Sequence, residues 1–409
     1  MKYGLIGENI SYSLSKRIHQ LFGNEDYTIC SINSVQMDEL LSSKSFKGVN
    51  VTIPYKEAVI RYLDEMDESV RKIGSCNLII NKNGKLVGYN TDYFGFLELI
   101  KHSKMNLQGS NVVILGSGGT SKTVKACLKS LYVRNIYVVS RSNKPYGYDD
   151  LCHLSYDYLI NTTPVGSMNN DHLVTHLNEN IKGVIDVIYR PFRTKLLLEA
   201  IDKNVPHING LYMLVYQAYL THLKFFNQTF NESEVKVVYK TISKESQNIV
   251  LIGMSRNGKT TIGRLLANKM NRQFIDVDEE IKKQEKKDIP SIFKDDGEQY
   301  FRKVESQIIE KIKYVSNSVI VLGGGAILNK INIDNMRQNG IIYNIIRDIN
   351  LITFDDSRPL NKNKSMYQSL LLNREKLYNK YSSKSFYNNK DLDSLVNEME
   401  SDFNENFSR

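Results

Sequence analysis

The sequence predicts an α/β protein built in two successive parts, each with a parallel sheet. Short apolar runs alternate along the chain with stretches of helical periodicity, the pattern of alternating strands and helices. Two different glycine-rich turns, one in each part, lie between an apolar strand and an amphipathic helix. The chain has 409 residues, which at about 150 residues per domain corresponds to two or three folded units.

In the first part, strands are predicted at 3–6, 27–32 and 48–53, each followed by a polar segment with helical periodicity. The run NVVIL at 111–115 leads directly into GSGGTS and a helix, and the next strand is predicted at 135–139. Strand, glycine turn, helix and strand make one βαβ unit. Further strands are predicted at 158–160 and 184–188, and a helix from 211 to about 230 closes this part.

The second part begins after a polar segment at 227–247 whose later portion, 236–247, is predicted to be a flexible linker. Strands are then predicted at 249–252, 273–275, 318–322 and 341–345, with a helix at 261–270 and mostly helical segments between the strands. The two parts carry different glycine motifs and no internal repeat is visible, so duplication of one domain is not indicated.

Composition is that of a globular protein, with 41% hydrophobic and 24% charged residues. The net charge of +9 favours anionic partners, either nucleic acid or phosphorylated small molecules. Four cysteines lie far apart without metal-binding spacing, which indicates reduced thiols. No signal-like start or apolar run of about 18 residues is present. We therefore expect a soluble, cytoplasmic protein that binds no membrane.

The second glycine turn, at 253–260, matches G-x-x-x-x-G-K-[ST] in the strand-to-helix context that this motif needs. Its backbone N–H groups would wrap a β-phosphate, Lys259 would neutralise phosphate oxygens, and the Thr260 hydroxyl can ligate Mg²⁺. The alternative is a glycine turn that binds nothing, which the flanking strand and helix disfavour. We predict an ATP site made of Gly253, Arg256, Asn257, Gly258, Lys259, Thr260 and Thr261.

Five spaced motifs follow this loop. They are FIDVD at 274–278, GE at 297–298 with FR at 301–302 and Glu305, GGG at 323–325, RPL at 358–360, and Arg374 with LY at 377–378. With these motifs, residues 248 to about 390 resemble shikimate kinases, which are small P-loop phosphotransferases. The ordinary alternatives are surface-paired arginines and a simple glycine turn, but five coincidences in this order disfavour them.

The resemblance to shikimate kinases implies a role for each matching residue. It implies a shikimate site made of Asp278, Arg302, Gly324 and Arg374. It also implies that Asp278 accepts the hydroxyl proton, that Asp276 joins Thr260 at the Mg²⁺ ion, and that Arg358 closes over the phosphates. The segment before Arg358 is short and carries acidic residues where a second arginine is expected, so we expect a raised KM for ATP.

The first glycine turn, GSGGTS at 116–121, departs from G-x-G-x-x-G at its last position, and by itself fits a structural turn equally well. Gly116 permits a tight turn, while Gly118 and Gly119 allow close approach of a pyrophosphate at a helix N-terminus. The next strand ends in Ser140 and Arg141, which suit a 2′-phosphate and favour NADP(H) over NAD. We predict a cofactor site made of Gly116, Ser117, Gly118, Gly119, Thr120, Ser140, Arg141 and Lys144.

Further motifs surround this turn: SLS at 13–15, NVTIPYK at 50–56, GSCN at 74–77, NTD at 90–92, and GLYM at 210–213 with Gln217. With them, residues 1 to about 235 resemble shikimate dehydrogenases. The resemblance implies that Lys56 and Asp92 form the acid/base pair, and it adds Gly210 and Met213 to the cofactor site. It also implies that shikimate is held by Ser13, Ser15, Thr52, Asn77 and Gln217.

Reduction of a ketone delivers negative charge to the carbonyl oxygen, so an adjacent ammonium and an orienting carboxylate suit the reaction. The alternatives are that Ser15 and Asp92 are helix caps and that Lys56 is a solvated lysine. Lys16 stands where the dehydrogenases usually have proline, which would loosen that loop or add a cation near the substrate. Ser75-Cys76 replaces the small apolar pair that is more usual in the dehydrogenases. Neither of these two departures changes a proposed acid/base residue.

Both resemblances together predict a bifunctional enzyme of the shikimate pathway that reduces 3-dehydroshikimate and then phosphorylates shikimate. The expected division is a substrate lobe at 1–100, a Rossmann NADP lobe at 101–210, a returning helix at 211–235, the linker at 236–247 and the kinase at 248–409. The alternatives are a non-catalytic shikimate sensor and a quinate dehydrogenase that uses NAD. We expect no nucleic-acid partner, and the sequence does not indicate an oligomeric state.

Overall fold

The computed structural model describes residues 1–142, 145–168, 177–229, 231–354, 363–389 and 391–407. The chain divides into two compact units. The first contains Met1–Tyr189 and Glu199–Ile242, and the second contains Arg190–Leu198 and Ser243–Arg409. Within the described ranges, no helix combines the length and the apolar content needed to cross a membrane.

A mixed sheet occupies the start of the first unit. Its strands are β1 (Tyr3–Gly7), β2 (Tyr27–Ser31), β3 (Gly48–Val51), β4 (Glu65–Met66), β5 (Leu78–Lys82) and β6 (Lys85–Tyr89), in the order β2-β1-β3-β5-β6-β4. The helices here are α1 (Ser15–Leu21), α2 (Ser34–Ser43), α3 (Glu68–Ile73) and α4 (Thr91–Ser103). β1 pairs in parallel with β2 and β3, and an apolar cluster that includes Val49, Val51 and Ile79 packs on this sheet.

The antiparallel β5–β6 hairpin was absent from the sequence prediction. Asn83 and Gly84 connect its strands, with φ values of 54° and 88°. Consecutive positive φ angles are required in a type I′ turn, and Asn-Gly is its preferred sequence. The dipeptide was therefore a usable signal for the hairpin.

The second sheet is wholly parallel and follows in the same unit. Its strands are β7 (Asn111–Leu115), β8 (Asn135–Val139), β9 (Tyr158–Asn161), β10 (Gly183–Asp186) and β11 (His207–Asn209), in the order β11-β10-β9-β7-β8. The helices that follow in the chain are α5 (Gly119–Ser130), α6 (Lys195–Asp202), α7 (Leu211–Phe226) and α8 (Glu232–Glu245), of which α6 and α8 each include residues of both units. α7 packs against α4 and α1, the helices that accompany the first sheet.

The predicted flexible linker is largely helical, which corrects that expectation. Residues 236–245 belong to α8, whose Val235, Val238 and Ile242 are buried. These positions, three and four residues apart, form one apolar helix face. The many charged residues between them had obscured this short pattern.

The second unit contains a five-stranded parallel sheet in the order β13-β14-β12-β15-β16. Its strands are β12 (Asn248–Ile252), β13 (Gln273–Asp276), β14 (Ser318–Val321), β15 (Gly340–Ile346) and β16 (Lys384–Tyr387). The helices are α9 (Lys259–Lys269), α10 (Val277–Glu285), α11 (Ile289–Asp295), α12 (Gly297–Ile312), α13 (Lys330–Asn339), α14 (Lys364–Tyr381) and α15 (Leu392–Glu405). Two apolar clusters are formed by alternate strand residues, such as Val250 in one and Leu251 in the other.

The α/β class with parallel sheets is therefore confirmed. In the second unit the carboxyl ends of β12, β13 and β14 meet at one edge, because neighbouring strands run in parallel. Ligands of open α/β sheets bind at that edge. Gly253, Asp276 and Gly323 lie there.

Candidate functional sites

The glycine loop after β12 has the backbone that its motif requires. Gly253 and Gly258 adopt φ values of 133° and 86°, which side chains disfavour, and Gly258 is the N-cap of α9. Lys259 is buried, and its Nζ donates to the carbonyl oxygens of Gly253 and Met254 at 2.9 Å each. The ammonium is thus held within the loop, where a phosphate would meet it.

Oxygen atoms suited to Mg²⁺ lie beside this lysine. Thr260 Oγ1 donates to Asp276 Oδ2 at 2.7 Å, and Asp276 Oδ1 accepts from the backbone N–H of Asp278 at 3.0 Å. Burial raises the pKa of Asp276, and the nearby negative charge of Asp278 adds to the rise. No cluster of three or more metal-binding side chains occurs in the described ranges. One hydroxyl and one carboxylate fit Mg²⁺, which usually keeps waters and shares phosphate oxygens.

A cavity of about 240 Å³ adjoins the loop, and Asp278, Arg302 and Arg374 all line it. Arg374 donates to the carbonyl oxygen of Gly324 at 3.2 Å. A Cβ atom at Gly325 would lie 2.2 Å from a guanidinium nitrogen of Arg302, so a side chain there would displace that guanidinium. The structure therefore brings the kinase-like residues within its described ranges into one site. Arg358 lies outside the described residues.

Two functional neighbours were missed among the site predictions. Glu305 is fully buried and accepts from Arg302 NH1 at 2.9 Å, and Tyr378 donates to the Gly324 carbonyl oxygen at 2.5 Å. Burial raises the pKa of Glu305, while the charge of Arg302 opposes the rise. Both residues belong to quoted motifs but were given no role, and their spacing from Arg302 and Arg374 was the available signal.

The first glycine turn connects β7 to α5. Gly116 has a φ of 105°, and a Cβ atom there would lie 2.9 Å from Thr162 Oγ1. Gly118 is the N-cap of α5, so the first N–H groups of this helix lie at the turn. A Cβ at Gly119 would lie 2.9 Å from Ser75 Oγ and 3.2 Å from Lys56 Cβ. The turn thus packs directly against the proposed acid/base residue.

The predicted 2′-phosphate residues follow β8. Ser140 is buried with its hydroxyl 2.7 Å from that of Ser142, and Arg141 is exposed. Lys144 lies outside the described residues. At the other side of the sheet, a Cβ atom at Gly210 would lie 2.0 Å from the carbonyl oxygen of Val187, and Met213 is buried on α7.

Lys56 and Asp92 form a short ion pair. Lys56 Nζ lies 2.6 Å from Asp92 Oδ2 and 3.3 Å from Thr120 Oγ1. The two side chains are only 12% and 9% exposed, which excludes a solvated lysine. Asp92 is not the cap of α4, because Asn90 occupies that position and accepts from the Tyr93 N–H. The pair is therefore a buried feature beside the cofactor turn.

The polar residues next to this pair form a connected network. Asn77 Nδ2 donates to Thr91 Oγ1 at 2.9 Å and lies 3.4 Å from Gln217 Oε1. The Thr91 hydroxyl also lies 3.4 Å from Gln217 Oε1. Thr91 was given no role, although it is the middle residue of the quoted NTD motif. Thr52 is half-buried and directly follows β3.

Ser13 and Ser15 lie at the start of α1. Their hydroxyls are 3.0 Å apart, and Ser13 Oγ accepts the Ser15 N–H at 3.2 Å. The N-cap residue of α1 is Leu14, so Ser15 is not a cap. Lys16 is exposed.

The first unit contains a glycine turn beside a buried lysine–aspartate pair, and the second contains a P-loop beside a cavity lined by two arginines. These features define an oxidoreductase and a phosphotransferase in one chain. Family models named shikimate dehydrogenase substrate binding domain and shikimate kinase match residues 5–79 and 257–403 respectively. The NADP(+) shikimate dehydrogenase of Clostridium botulinum is 36% identical over 239 residues, which is 53% of this chain and 93% of that protein. The chain therefore belongs to the shikimate dehydrogenase family and carries a shikimate kinase domain as a fusion.

Solved structures agree with the first assignment. Shikimate dehydrogenase 1 of Peptoclostridium difficile is 31% identical with a TM-score of 0.56, over 59% of this chain and 98% of that chain. A chorismate mutase/shikimate 5-dehydrogenase fusion from Clostridium acetobutylicum is 32% identical with a TM-score of 0.54, over 59% and 96%. The predicted family pair and the pair of enzyme classes are confirmed, whereas the roles of single residues stay predictions.

Proposed function

We propose that the chain performs two consecutive reactions: NADPH-dependent reduction of 3-dehydroshikimate to shikimate, and Mg·ATP-dependent phosphorylation of shikimate at its 3-hydroxyl. The main support is that one chain contains two such sites. A buried Lys56–Asp92 pair lies beside a dinucleotide turn, and a P-loop lies beside a cavity with two arginines. Both sites suit a carboxylated polyol. The product of the first site is the substrate of the second.

In the first reaction NADPH supplies the hydride when bound. Lys56 stabilises the negative charge on the carbonyl oxygen and donates a proton to it, because its ammonium is buried where no bulk water competes. Asp92, 2.6 Å away, orients that ammonium. Asn77 and Gln217 hold the ring hydroxyls, and Ser13 and Ser15 hold the carboxylate.

In the second reaction Asp278 accepts the proton of the attacking hydroxyl, and Lys259 neutralises phosphate oxygens. Thr260 and Asp276 hold Mg²⁺. Glu298 and Glu305 accept three hydrogen bonds from Arg302, which leaves two of its five N–H donors for the substrate carboxylate within the described contacts. Arg374 also binds the substrate carboxylate.

We also propose the division of labour among 1–100, 101–210, 211–235 and 248–409 given above, with 236–247 as a mainly helical connection. A cytoplasmic location fits the supply of NADPH and ATP and four cysteines that form no disulfide. The proposal of NADP over NAD rests on Arg141 and on the NADP(+) named for the relatives.

A coupled assay with 3-dehydroshikimate, NADPH and Mg·ATP tests the proposed function. We expect Lys56→Ala to lower the reduction rate at least 100-fold and leave phosphorylation of added shikimate unchanged. Lys259→Ala is expected to do the reverse, because each lysine serves one site. A non-catalytic sensor predicts shikimate binding without NADPH oxidation or ATP consumption by the unmodified chain, and that result would overturn the proposal.

A further inference from the structure

Asn257 is held on three sides within the P-loop. Its Nδ2 donates to the Ile345 carbonyl oxygen at 2.7 Å, and its Oδ1 accepts from the Tyr367 hydroxyl at 2.8 Å. Its own carbonyl oxygen accepts from Asn388 Nδ2 at 2.9 Å. All three partners lie outside the loop, so the side chain of Asn257 faces the protein.

The backbone around Asn257 needs such support. Arg256 and Gly258, on either side, have φ values of 73° and 86°. A left-handed conformation is unfavourable for a residue with a side chain, and it persists only where surrounding contacts impose it. The hydrogen bonds of Asn257 act at the point where the loop turns toward α9. They therefore help to fix the orientation of the backbone N–H groups that a phosphate would contact.

Tyr367 lies 110 residues along the chain from Asn257. It lies on α14, is 2% exposed and packs in the apolar cluster beneath the cavity. Burial raises the pKa of Tyr367 to about 12, so its hydroxyl remains a donor at neutral pH. Seven and eleven residues later, the same helix presents Arg374 and Tyr378 to the Gly324 carbonyl oxygen. One helix thus contacts both the phosphate loop and the glycine loop of the cavity.

We propose that Asn257 and Tyr367 are positioning residues for the nucleotide: the Tyr367–Asn257 hydrogen bond holds the P-loop in the conformation that binds ATP. The inference rests on the proposed kinase function. It assigns nucleotide affinity to the first turns of α14, whereas Arg374 and Tyr378 act on the other loop. Loss of the Tyr367 hydroxyl should therefore weaken ATP binding and leave shikimate binding unchanged.

The test is titration of the full chain with the fluorescent analogue mant-ATP in the presence of Mg²⁺. Tyr367→Phe keeps the buried ring and removes the hydroxyl, and we expect it to weaken binding about three- to tenfold, the range of one lost hydrogen bond. The KM for shikimate and the kcat at saturating ATP should change less than twofold. Tyr381→Phe, on the same helix and in the same cluster, is the matched control and should bind like the unmodified chain.

A double-mutant cycle separates the hydrogen bond from general packing. In an Asn257→Ala background, Tyr367→Phe should have less than a twofold effect, because its partner is already absent. An unchanged affinity in Tyr367→Phe, or an equal effect in both backgrounds, would overturn the inference while the proposed function stands. If the unmodified chain itself bound no nucleotide, the proposed function and the inference would both be wrong.

Discussion

Arg302 and Glu305 illustrate what a single buried charge requires. Glu305 is fully buried, and its carboxylate is compensated by an arginine one helical turn away that is also proposed to bind substrate. A buried carboxylate without a partner is strongly destabilising, since desolvation disfavours the ionised form. Arg302 therefore stabilises the folded state by compensating Glu305, in addition to its proposed binding of the substrate carboxylate.

We expect Arg302→Met to destabilise the second unit by about 3 kcal/mol at pH 8 and less at pH 5. The pKa of Glu305 is already raised by burial and would rise further without Arg302. A raised pKa means that stability is lost as pH increases through that pKa, so the loss grows toward alkaline pH. The free energy of unfolding at the two pH values is measured by denaturant-dependent hydrogen exchange of α12 peptides, corrected for intrinsic exchange rates.

Glu298→Gln is the matched control, because this second partner of Arg302 is 45% exposed. An exposed pair contributes about 0.2–1 kcal/mol, so little change is expected at either pH. A loss in Arg302→Met that did not depend on pH would contradict the role of Glu305.

His19 gives a pH effect of opposite sign in the first unit. Its ring stacks on Tyr27 with centroids 3.8 Å apart, and burial lowers its pKa to about 3, with the nearby His222 adding to the effect. Because the folded-state pKa lies below the unfolded value of about 6.5, stability is complete above pH 6.5 and is lost as pH falls. His19 accounts for about 2 kcal/mol of loss between pH 8 and pH 5.

His19→Gln should therefore flatten the pH dependence of unfolding of the first unit, even though it lowers stability at pH 8 by removing the stacked ring. The measurement is denaturant-dependent hydrogen exchange of α1 peptides at the two pH values. An identical loss in the variant and the unmodified chain would sink this assignment.

At the scale of elements, α4 shows how a cap positions chemistry. Asn90 accepts the Tyr93 N–H at the helix start, and its Nδ2 donates to the Ser75 carbonyl oxygen at 2.8 Å and to Thr123 Oγ1 at 3.2 Å. Asp92 lies in the first turn that this cap orders. Asn90 thus links α4 to the segment before β5 and to α5.

We expect Asn90→Ala to cost about 1–2 kcal/mol of stability and to lower the dehydrogenase kcat at least tenfold, because Asp92 would no longer be aligned with Lys56. Kinase activity on added shikimate, measured in the same preparation, is the internal control. A dehydrogenase kcat within twofold of the unmodified chain would contradict the positioning role. Asn90→Asp, which retains the cap acceptor, should recover part of the lost stability.

Most elements were predictable because apolar strands and glycine turns are local patterns. The β5–β6 hairpin and α8 were missed, since one is coded by a two-residue turn and the other by three apolar positions within a charged segment. In the sites, motif residues were identified by spacing. Thr91, Glu305 and Tyr378 were not assigned, because their roles depend on which side chains fold against them.

For the whole molecule, fusion places two sequential reactions in one chain. A tether raises local concentration only modestly for a small metabolite that diffuses rapidly. The predicted flexible linker is replaced by α8, but a helical connection gives no enclosed path by itself. We therefore expect no transfer advantage from covalent linkage.

The prediction is tested without cutting the chain. In an equimolar mixture of Lys56→Ala and Lys259→Ala chains, each chain keeps one of the two active sites. The mixture therefore has as many working sites of each kind as the unmodified chain at half the total concentration, but no molecule carries both sites. The lag before shikimate 3-phosphate appears, measured by quenched-flow sampling, should agree within twofold between the mixture and the unmodified chain at half the concentration. A markedly shorter lag for the unmodified chain would demonstrate transfer between its sites.

By itself, the sequence determined the α/β class, the two glycine loops and the pair of families, because strand-turn-helix motifs place backbone N–H groups and charged residues at defined local spacing. Only the tertiary structure decided how each site is supported. The buried Glu305 behind Arg302, the Asn90 bridge and the Tyr367–Asn257 bond join residues far apart in the chain. Their burial and hydrogen bonding arise from packing, and no local pattern records which distant partner a polar side chain will meet.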